Sequence, residues 1–103
     1  MKHLTFATKN FLVGDAVADA IVEYAAALGE RNSADTIDII AIGADGDQVT
    51  ATLFLSTGVA LVAETSTAPF PEPDNTETEA YIEGRLTLLS SPPQARPLDD
   101  DEQ

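Results

Sequence analysis

The chain has 103 residues, of which 44% are hydrophobic, and its 18 acidic and 5 basic residues give a formal net charge of -13. A chain of this length and composition is typical of one globular domain with its own hydrophobic core. The acidic surplus argues against a nucleic-acid or anionic-membrane partner, because contacts to phosphate groups need clustered Lys and Arg side chains.

The N-terminal part predicts one strand followed by one helix. Residues 2–7 alternate between apolar and polar, which indicates a strand, and residues 8–10 are predicted to be a turn. A stripe of apolar residues at helical spacing predicts a helix from Asp15 to Gly29, with Asp15 as its N-terminal cap and Gly29 as its left-handed stop. The stripe comprises Val17, Ala20, Ile21, Tyr24, Ala25 and Leu28.

Three strands are predicted next, at residues 36–42, 49–56 and 59–65, because these segments are rich in β-branched residues and Gly-containing turns separate them. Three-residue loops with Gly in the left-handed position would place apolar residues opposite one another in both hairpins. Leu53 would then face Ile37 in the first hairpin and Leu61 in the second. These pairings predict that Leu53 lies at the centre of the core.

The remaining residues predict a connector, a second helix and a tail. Three prolines within residues 66–75 exclude a helix and predict an extended connector. Asp74 or Asn75 is predicted to cap the second helix. The apolar stripe of this helix comprises Ile82, Leu86 and Leu89. Pro residues and an acidic run at residues 91–103 predict a disordered acidic tail.

These elements predict a single α+β domain over residues 1–90, with the order β-α-β-β-β-α. Two helices are expected to pack on one face of a mainly antiparallel four-stranded sheet. No stretch is apolar enough to span a membrane, and residues 1–6 lack the apolar run of a signal peptide. With no Cys in the chain, we expect a soluble cytoplasmic protein.

No residue pattern indicates catalysis, a metal ion or a cofactor. A chain with no Cys and a single His, His3, lacks the ligands of a usual zinc site. Asp45-Gly46-Asp47 could begin a calcium loop, but the twelfth position of such a loop is Ser56 rather than Glu. An Asp-Gly hairpin turn accounts for these residues instead. We therefore expect a protein that is not an enzyme.

Two surfaces are candidate binding sites. The sheet face opposite the helices would gather apolar residues with a polar rim, which is typical of a contact surface. This candidate interface comprises Ile40, Thr52, Phe54 and Val62. The helices also carry acidic residues at i, i+4 spacing with no Lys to pair with. This candidate acidic face comprises Asp15, Asp19, Glu23, Glu79 and Glu83.

The leading hypothesis is a small acidic interaction or regulatory protein that acts as a homodimer through the candidate interface. In an alternative arrangement, the N-terminal strand or the Pro-rich connector covers that face. Two other functions stay open. One is a small-molecule binding or catalytic domain with a pocket between sheet and helices. The other is an acidic antagonist that imitates DNA and binds a basic protein. A proteome that favours acidic surfaces in general is a further explanation of the charge.

Overall fold

The computed structural model describes residues 1–90, which form five strands and two helices. In chain order these are β1 (Lys2–Phe6), β2 (Lys9–Val13), α1 (Asp15–Glu30), β3 (Ala34–Ile42), β4 (Gln48–Ser56), β5 (Leu61–Thr65) and α2 (Thr76–Ser90). The predicted tail at residues 91–103 lies outside the described residues. The fold is α+β, as expected. However, the sheet has five strands rather than four, and the element order is β-β-α-β-β-β-α.

The additional strand is β2, in the segment predicted to be a turn and a lead into the helix. The chain reverses at residues 7–8, and β2 runs back along β1 with Leu4 opposite Phe11. Ala7 takes a left-handed φ of 58° at the first position of this two-residue loop, where Gly is the usual residue. The prediction missed the hairpin because its turn lacks the Gly or Asn that normally marks one.

The β3–β4 hairpin has the predicted register. Ile37 lies opposite Leu53 and Ile39 opposite Ala51. Gly46 takes the predicted left-handed conformation, with a φ of 89°. Leu53 is buried, as expected for a residue on the core face.

The pairing predicted for β4 and β5 is wrong. The sheet order is β4-β3-β2-β1-β5, with antiparallel pairing throughout, so β4 and β5 form opposite edges of the sheet. Leu61 lies opposite Phe6 of β1 rather than opposite Leu53. Alternation of apolar residues determines which face of a strand is buried, but it does not determine the neighbouring strand. Leu61 packs against the core in either arrangement.

The sheet curves around α1. Only residues 57–60 join the end of β4 to the start of β5. Five steps of extended chain span at most about 18 Å, and a turn within this loop shortens the span, since the amide of Val59 donates to the carbonyl of Ser56. A flat sheet would hold its edge strands about 19 Å apart. The curved sheet packs against α1 through β1, β3, β4 and β5.

Both ends of α1 differ from the prediction. Asp15 is the first helical residue, whereas Gly14 holds the capping position, where no side chain bonds to the helix. Gly29 lies within the helix rather than at its stop. The left-handed residue is Asn32, with a φ of 53°, and its amide donates to the carbonyl of Gly29 at 3.1 Å. Asn tolerates this conformation better than most residues, so it can replace Gly at the end of a helix.

The second helix packs mainly against α1 and meets the sheet at β3. Its fully buried residue is Ile82, and Leu86 and Leu89 are half-buried against the same core. At its start, the carboxylate of Asp74 accepts bonds from the amide and the hydroxyl of Thr76, at 3.0 and 2.6 Å. Within residues 1–90, no helix is both long and apolar enough to cross a bilayer.

Candidate functional site

The two edges of β3 have different partners. Strand β4 pairs along one edge, whereas β2 meets the other edge at a single residue pair near its end. Beyond that pair, side chains at the start of α2 take the place of a strand. Asn75 accepts the amide of Ile40 at 2.8 Å and donates to its carbonyl at 2.7 Å, and the Thr78 hydroxyl donates to the carbonyl of Asp38 at 2.6 Å. These main-chain groups of β3 therefore point away from β4.

This orientation determines which main-chain groups of β4 are free. Residues opposite one another in an antiparallel pair alternate between pairs that share hydrogen bonds and pairs that do not. Thr50 lies opposite Ile40, whose main chain bonds to Asn75, so the main chain of Thr50 points away from β3. The same alternation applies to Thr52 and Phe54. We call the outward N–H and C=O groups of Thr50, Thr52 and Phe54 the β4 edge.

The β4 edge is open within the described part of the chain. Strand β4 is the last strand on its side of the sheet, and no hydrogen bond from residues 1–90 reaches these groups. Its nine residues, Gln48–Ser56, include no charged residue, Pro or Gly. Natural edge strands are usually short or carry such residues, which discourage pairing with other chains. The other edge strand, β5, has five residues and contains Glu64.

The candidate interface is divided by the correct sheet order. Thr52 and Phe54 lie on β4 and are exposed, with 55% of the Phe54 surface accessible. Ile40 is half-buried on the neighbouring strand β3. Val62 is also exposed, but it lies on β5 at the opposite edge of the sheet. The four residues therefore do not form one patch, because the prediction had placed β5 beside β4.

The Pro-rich connector covers another part of the same sheet face. Leu12 and Ile42 lie opposite each other and point away from the core residues of their strands, yet both are buried. Ala68 and Phe70 of the connector line a cleft of about 320 Å³ together with these two residues. The connector therefore lies beside β2 and the end of β3 and, contrary to the alternative arrangement, does not cover the candidate interface. It leaves Thr52 and Phe54 exposed.

Two residues of the candidate acidic face have partners that the sequence pattern did not reveal. The carboxylate of Asp15 lies 3.0 Å from the amino group of Met1, and that of Asp19 lies 2.5 Å from the ammonium group of Lys2. The hydrogen bond to Asp19 raises the pKa of Lys2 above its ordinary value. The expectation that α1 lacks a Lys partner is therefore wrong, because the cation comes from β1 rather than from the helix itself.

The other three acidic residues come together between the helices. Glu23, Glu79 and Glu83 line a cleft of about 240 Å³, together with Ala20 and Leu86. Within residues 1–90, no ion pair joins these three carboxylates to a cation. The structure thus divides the candidate acidic face into a paired part on α1 and an unpaired part between α1 and α2.

A polar cluster that the sequence did not predict joins α1, β3 and α2. The hydroxyls of Tyr24 and Tyr81 both donate to the same carboxylate oxygen of Asp35, each at 2.5 Å. The two rings meet edge to face, with centroids 6.4 Å apart. The guanidinium of Arg85 lies 3.4 Å from the Tyr24 hydroxyl. Tyr24 appeared in the sequence only as part of an apolar stripe, and no local spacing connects residues so far apart in the chain.

The pKa shifts in this cluster hold its hydroxyls protonated and its carboxylate ionised. Burial and the bond to Asp35 raise the pKa of Tyr24 to about 12. The bond to Asp35, followed by partial burial, raises the pKa of Tyr81. Partial burial acts to raise the pKa of Asp35, but bonds from both hydroxyls and from the amide of Thr36 outweigh it, so that the pKa is lowered. Each group is thus fixed as a hydrogen-bond partner, which suits a structural role.

A cleft of about 430 Å³ lies where the start of α2 meets β3 and β4. Several of its polar groups already bond within the chain. The Asp38 carboxylate accepts the Thr52 hydroxyl at 2.6 Å, Asp74 accepts bonds from Thr76, and Asn75 bonds to β3. Within residues 1–90, no group of three or more His, Asp or Glu side chains is placed to hold a metal ion.

Comparisons with protein-family models, with curated proteins and with solved structures find no match for this chain.

Proposed function

We propose that this protein is a non-enzymatic interaction module that binds by adding an extended strand to the β4 edge. The open row of main-chain groups on an uncharged nine-residue strand carries the proposal. Strand addition satisfies such groups with main-chain hydrogen bonds, and the neighbouring side chains provide specificity. Thr52 and Phe54, two residues of the predicted interface, are exposed on this strand. The charge of -13 favours protein partners over nucleic acid or membrane. We also propose that the protein is cytoplasmic.

A small-molecule or catalytic function has less support. Its pocket was expected between the sheet and the helices, with polar groups that converge on a ligand. In the cleft at the start of α2, by contrast, Asp38, Asp74 and Asn75 already serve as partners for other groups of the chain. The interaction module requires no such pocket, because its binding groups belong to the main chain.

The test uses a peptide with the sequence of Gln48–Ser56, flanked by lysines for solubility, and measures amide hydrogen exchange by NMR under conditions in which the chain is monomeric. We expect the peptide to slow exchange at Thr50, Thr52 and Phe54, because pairing with an added strand protects these outward amides. Amides of β5 should exchange as before. A peptide with Pro at its centre is the matched control, since it lacks the central amide needed for pairing. Unchanged exchange at all three β4 amides with the unmodified peptide would contradict the proposal.

A second candidate function is binding of a basic protein at the acidic cleft between the helices. Glu23, Glu79 and Glu83 line this cleft without a described cation, and this observation supports the antagonist hypothesis. Replacement of Glu79 and Glu83 by Gln should weaken binding of a cationic amphipathic peptide. Replacement of Asp15 and Asp19 by Asn, which removes the same charge from the paired part of the acidic face, is the control. Equal effects of the two double variants would indicate general electrostatic attraction rather than a site.

A further inference from the structure

We propose that the strand added to the β4 edge is β4 of a second copy of this chain. The two five-stranded sheets would then join into one continuous sheet about a twofold axis through Thr52. This inference rests on the proposed function, because it names the partner of the same edge. Symmetric pairing of identical surfaces gives a closed dimer, which is the commonest form of soluble oligomer.

The position of the outward groups selects the register. An antiparallel pair centred on Thr52 sets Gln48 opposite Ser56 of the second copy. The carbonyl of Ser56 accepts the amide of Val59 in its own chain, so the hydrogen bonds between the copies lie at residues 50–54. Thr50 then lies opposite Phe54, and Thr52 lies opposite its own copy. These pairs, Thr50 with Phe54 in both directions and Thr52 with its own copy, can each share two main-chain hydrogen bonds. In every pair, both residues direct their N–H and C=O groups toward the other copy. A shift by one residue would set outward groups against inward groups, and a shift by two would shorten the overlap.

The absence of charge on β4 explains how so acidic a chain can pair with itself. No residue of β4 is charged, so no carboxylate would lie directly opposite another across the axis. The carboxylate next to Thr52 is that of Asp38 on β3, which accepts the Thr52 hydroxyl. Two copies of Asp38 would be three strand spacings apart, about 14 Å. That separation exceeds the screening length of about 10 Å in 0.1 M salt.

The same register buries side chains on both faces of the sheet. On the outer face, the exposed Phe54 ring would lie beside Thr50 of the second copy. On the core face, the half-buried Val49 would lie beside Leu55 of the second copy, so the hydrophobic core would continue across the axis. Aromatic and β-branched residues opposite one another are favourable cross-strand pairs.

The other free edge of the chain is a poorer partner for β4. Strand β5 has five residues, so it would leave part of the nine-residue β4 unpaired. It would also bring Glu64 into the contact. Pairing of β4 with β5 would be head-to-tail, and such contacts build rings or open filaments rather than closed dimers. Length, charge and symmetry all favour β4 as the partner strand.

The natural absence of Cys makes single-cysteine variants a direct test of this register. In Thr52→Cys, the two thiols would face each other across the axis, and opposite residues of a hydrogen-bonded pair have Cα atoms about 5.5 Å apart. That distance suits a disulfide. In Thr50→Cys, the two thiols would be about 13 Å apart along the strands, which is too far. We expect mild oxidation to give a covalent dimer of Thr52→Cys at least tenfold faster than of Thr50→Cys.

Three results would overturn the inference. Equal cross-linking of the two variants would exclude the register, and faster cross-linking of Thr50→Cys would require a different axis. If neither variant cross-links and the unmodified chain is monomeric, the second copy is not the partner. Hydrogen exchange then separates the two proposals. Protection of Thr50, Thr52 and Phe54 by the peptide would keep strand addition as the function, whereas its absence would remove both.

Discussion

Asp35 connects three elements of the fold through one side chain. It lies at the start of β3, and its carboxylate accepts hydroxyl groups from Tyr24 of α1 and Tyr81 of α2. Tyr24 is fully buried, whereas about half of Tyr81 is accessible. A buried hydroxyl without an acceptor costs about 1–3 kcal/mol, so Asp35 stabilises the packing of both helices although it lies outside the apolar core.

The titration of the two tyrosines tests this cluster. Both pKa values are raised, that of Tyr24 to about 12 mainly by burial, and that of Tyr81 mainly by its bond to Asp35. Asp35→Asn should therefore lower the pKa of Tyr81 toward its ordinary value and leave that of Tyr24 above it. Ultraviolet absorbance of tyrosinate gives the measurement, and Tyr24→Phe identifies the Tyr81 step. Asp38→Asn, which removes a carboxylate that does not contact either tyrosine, should change neither step.

The same cluster should make the stability of the fold depend on pH in the acid range. The pKa of Asp35 is lower in the folded chain than in an unfolded one, so its ionised form favours folding. This contribution is complete above the ordinary pKa of an aspartate and disappears as the pH falls through the lowered value. Asp35→Asn should therefore make stability less dependent on pH in the acid range, as measured by urea denaturation. An unchanged acid dependence would show that other carboxylates control it.

Because neighbouring residues of β4 lie on opposite faces of the sheet, their replacement by Ala should reduce the stability of the fold by different amounts. Leu53 is 4% exposed and lies opposite Ile37, whereas Phe54 is 55% exposed. Leu53→Ala should reduce the free energy of unfolding by about 2–5 kcal/mol, because it leaves a cavity in the core. Phe54→Ala should reduce it less, when both are measured by chemical denaturation under monomeric conditions. The reverse order would mean that the faces of β4 are exchanged.

At the scale of elements, the start of α2 completes the sheet where β2 and β3 separate. The side-chain amide of Asn75 imitates a neighbouring strand by bonding to both main-chain groups of Ile40. Asn75 is 4% exposed and is the one buried polar residue found within residues 1–90. This contact fixes the helix to the sheet and orients the main chain of β3, and through β3 that of β4.

Asn75→Ala tests the contact. The variant leaves the amide and carbonyl of Ile40 without partners, and we expect a loss of about 2 kcal/mol or more in the free energy of unfolding. The Ile40 amide should also exchange faster with solvent. Asn10→Ala is the control, because Asn10 is exposed and its side chain bonds to that of His3 and not to the main chain of a neighbouring strand. Equal losses for the two variants would show that Asn75 does not replace a strand.

The elements also show how far local sequence patterns determine this fold. The β3–β4 hairpin was predicted with its register because Gly46 marks its turn and alternation matches Ile37 with Leu53. Strand β2 was missed because Ala7 occupies the left-handed position of its turn. The position of β5 beside β1 depends on contacts between distant segments, which alternation does not encode. The β4 edge could be identified only from the sheet order, in which β5 lies at the opposite side of the sheet and leaves β4 without a second neighbour.

The polar contacts of the candidate sites were beyond prediction for the same reason. Lys2 reaches Asp19 from another element, and Asp35 meets Tyr81 across 46 positions of the chain. Their spacing in the sequence follows no helical or strand period, so no local pattern connects them. Exposure on one face of a strand, in contrast, follows a period of two residues, and the sequence therefore predicted Thr52 and Phe54 as surface residues.

For the molecule as a whole, charge repulsion should weaken the folded state at low salt. The chain has 18 acidic and 5 basic residues, and salt screens repulsion between exposed charges. We expect the melting temperature to rise between low and moderate sodium chloride concentrations. Chloride is the suitable salt, because sulfate also stabilises proteins through exclusion from their surfaces. A flat or falling melting temperature would mean that ion pairs such as Lys2–Asp19 outweigh the repulsion.

Dimerisation through the β4 edge is the central claim about the whole molecule. Phe54 and Val62 provide a matched pair for testing it, because both point away from the core and are similarly exposed, at 55% and 51%, on opposite edges of the sheet. A new carboxylate at Phe54 would lie within the proposed contact, whereas one at Val62 would add the same charge on β5, outside the paired strands. The two variants therefore separate a local effect on the contact from a general effect of charge.

Sedimentation equilibrium of the wild type, Phe54→Glu and Val62→Glu at moderate salt is the most direct measurement. We predict that the wild type and Val62→Glu sediment at twice the chain mass of 10.9 kDa and that Phe54→Glu sediments as the single chain. A wild type that stays monomeric at micromolar concentrations, or a dimer that Val62→Glu disrupts and Phe54→Glu does not, would contradict the claim.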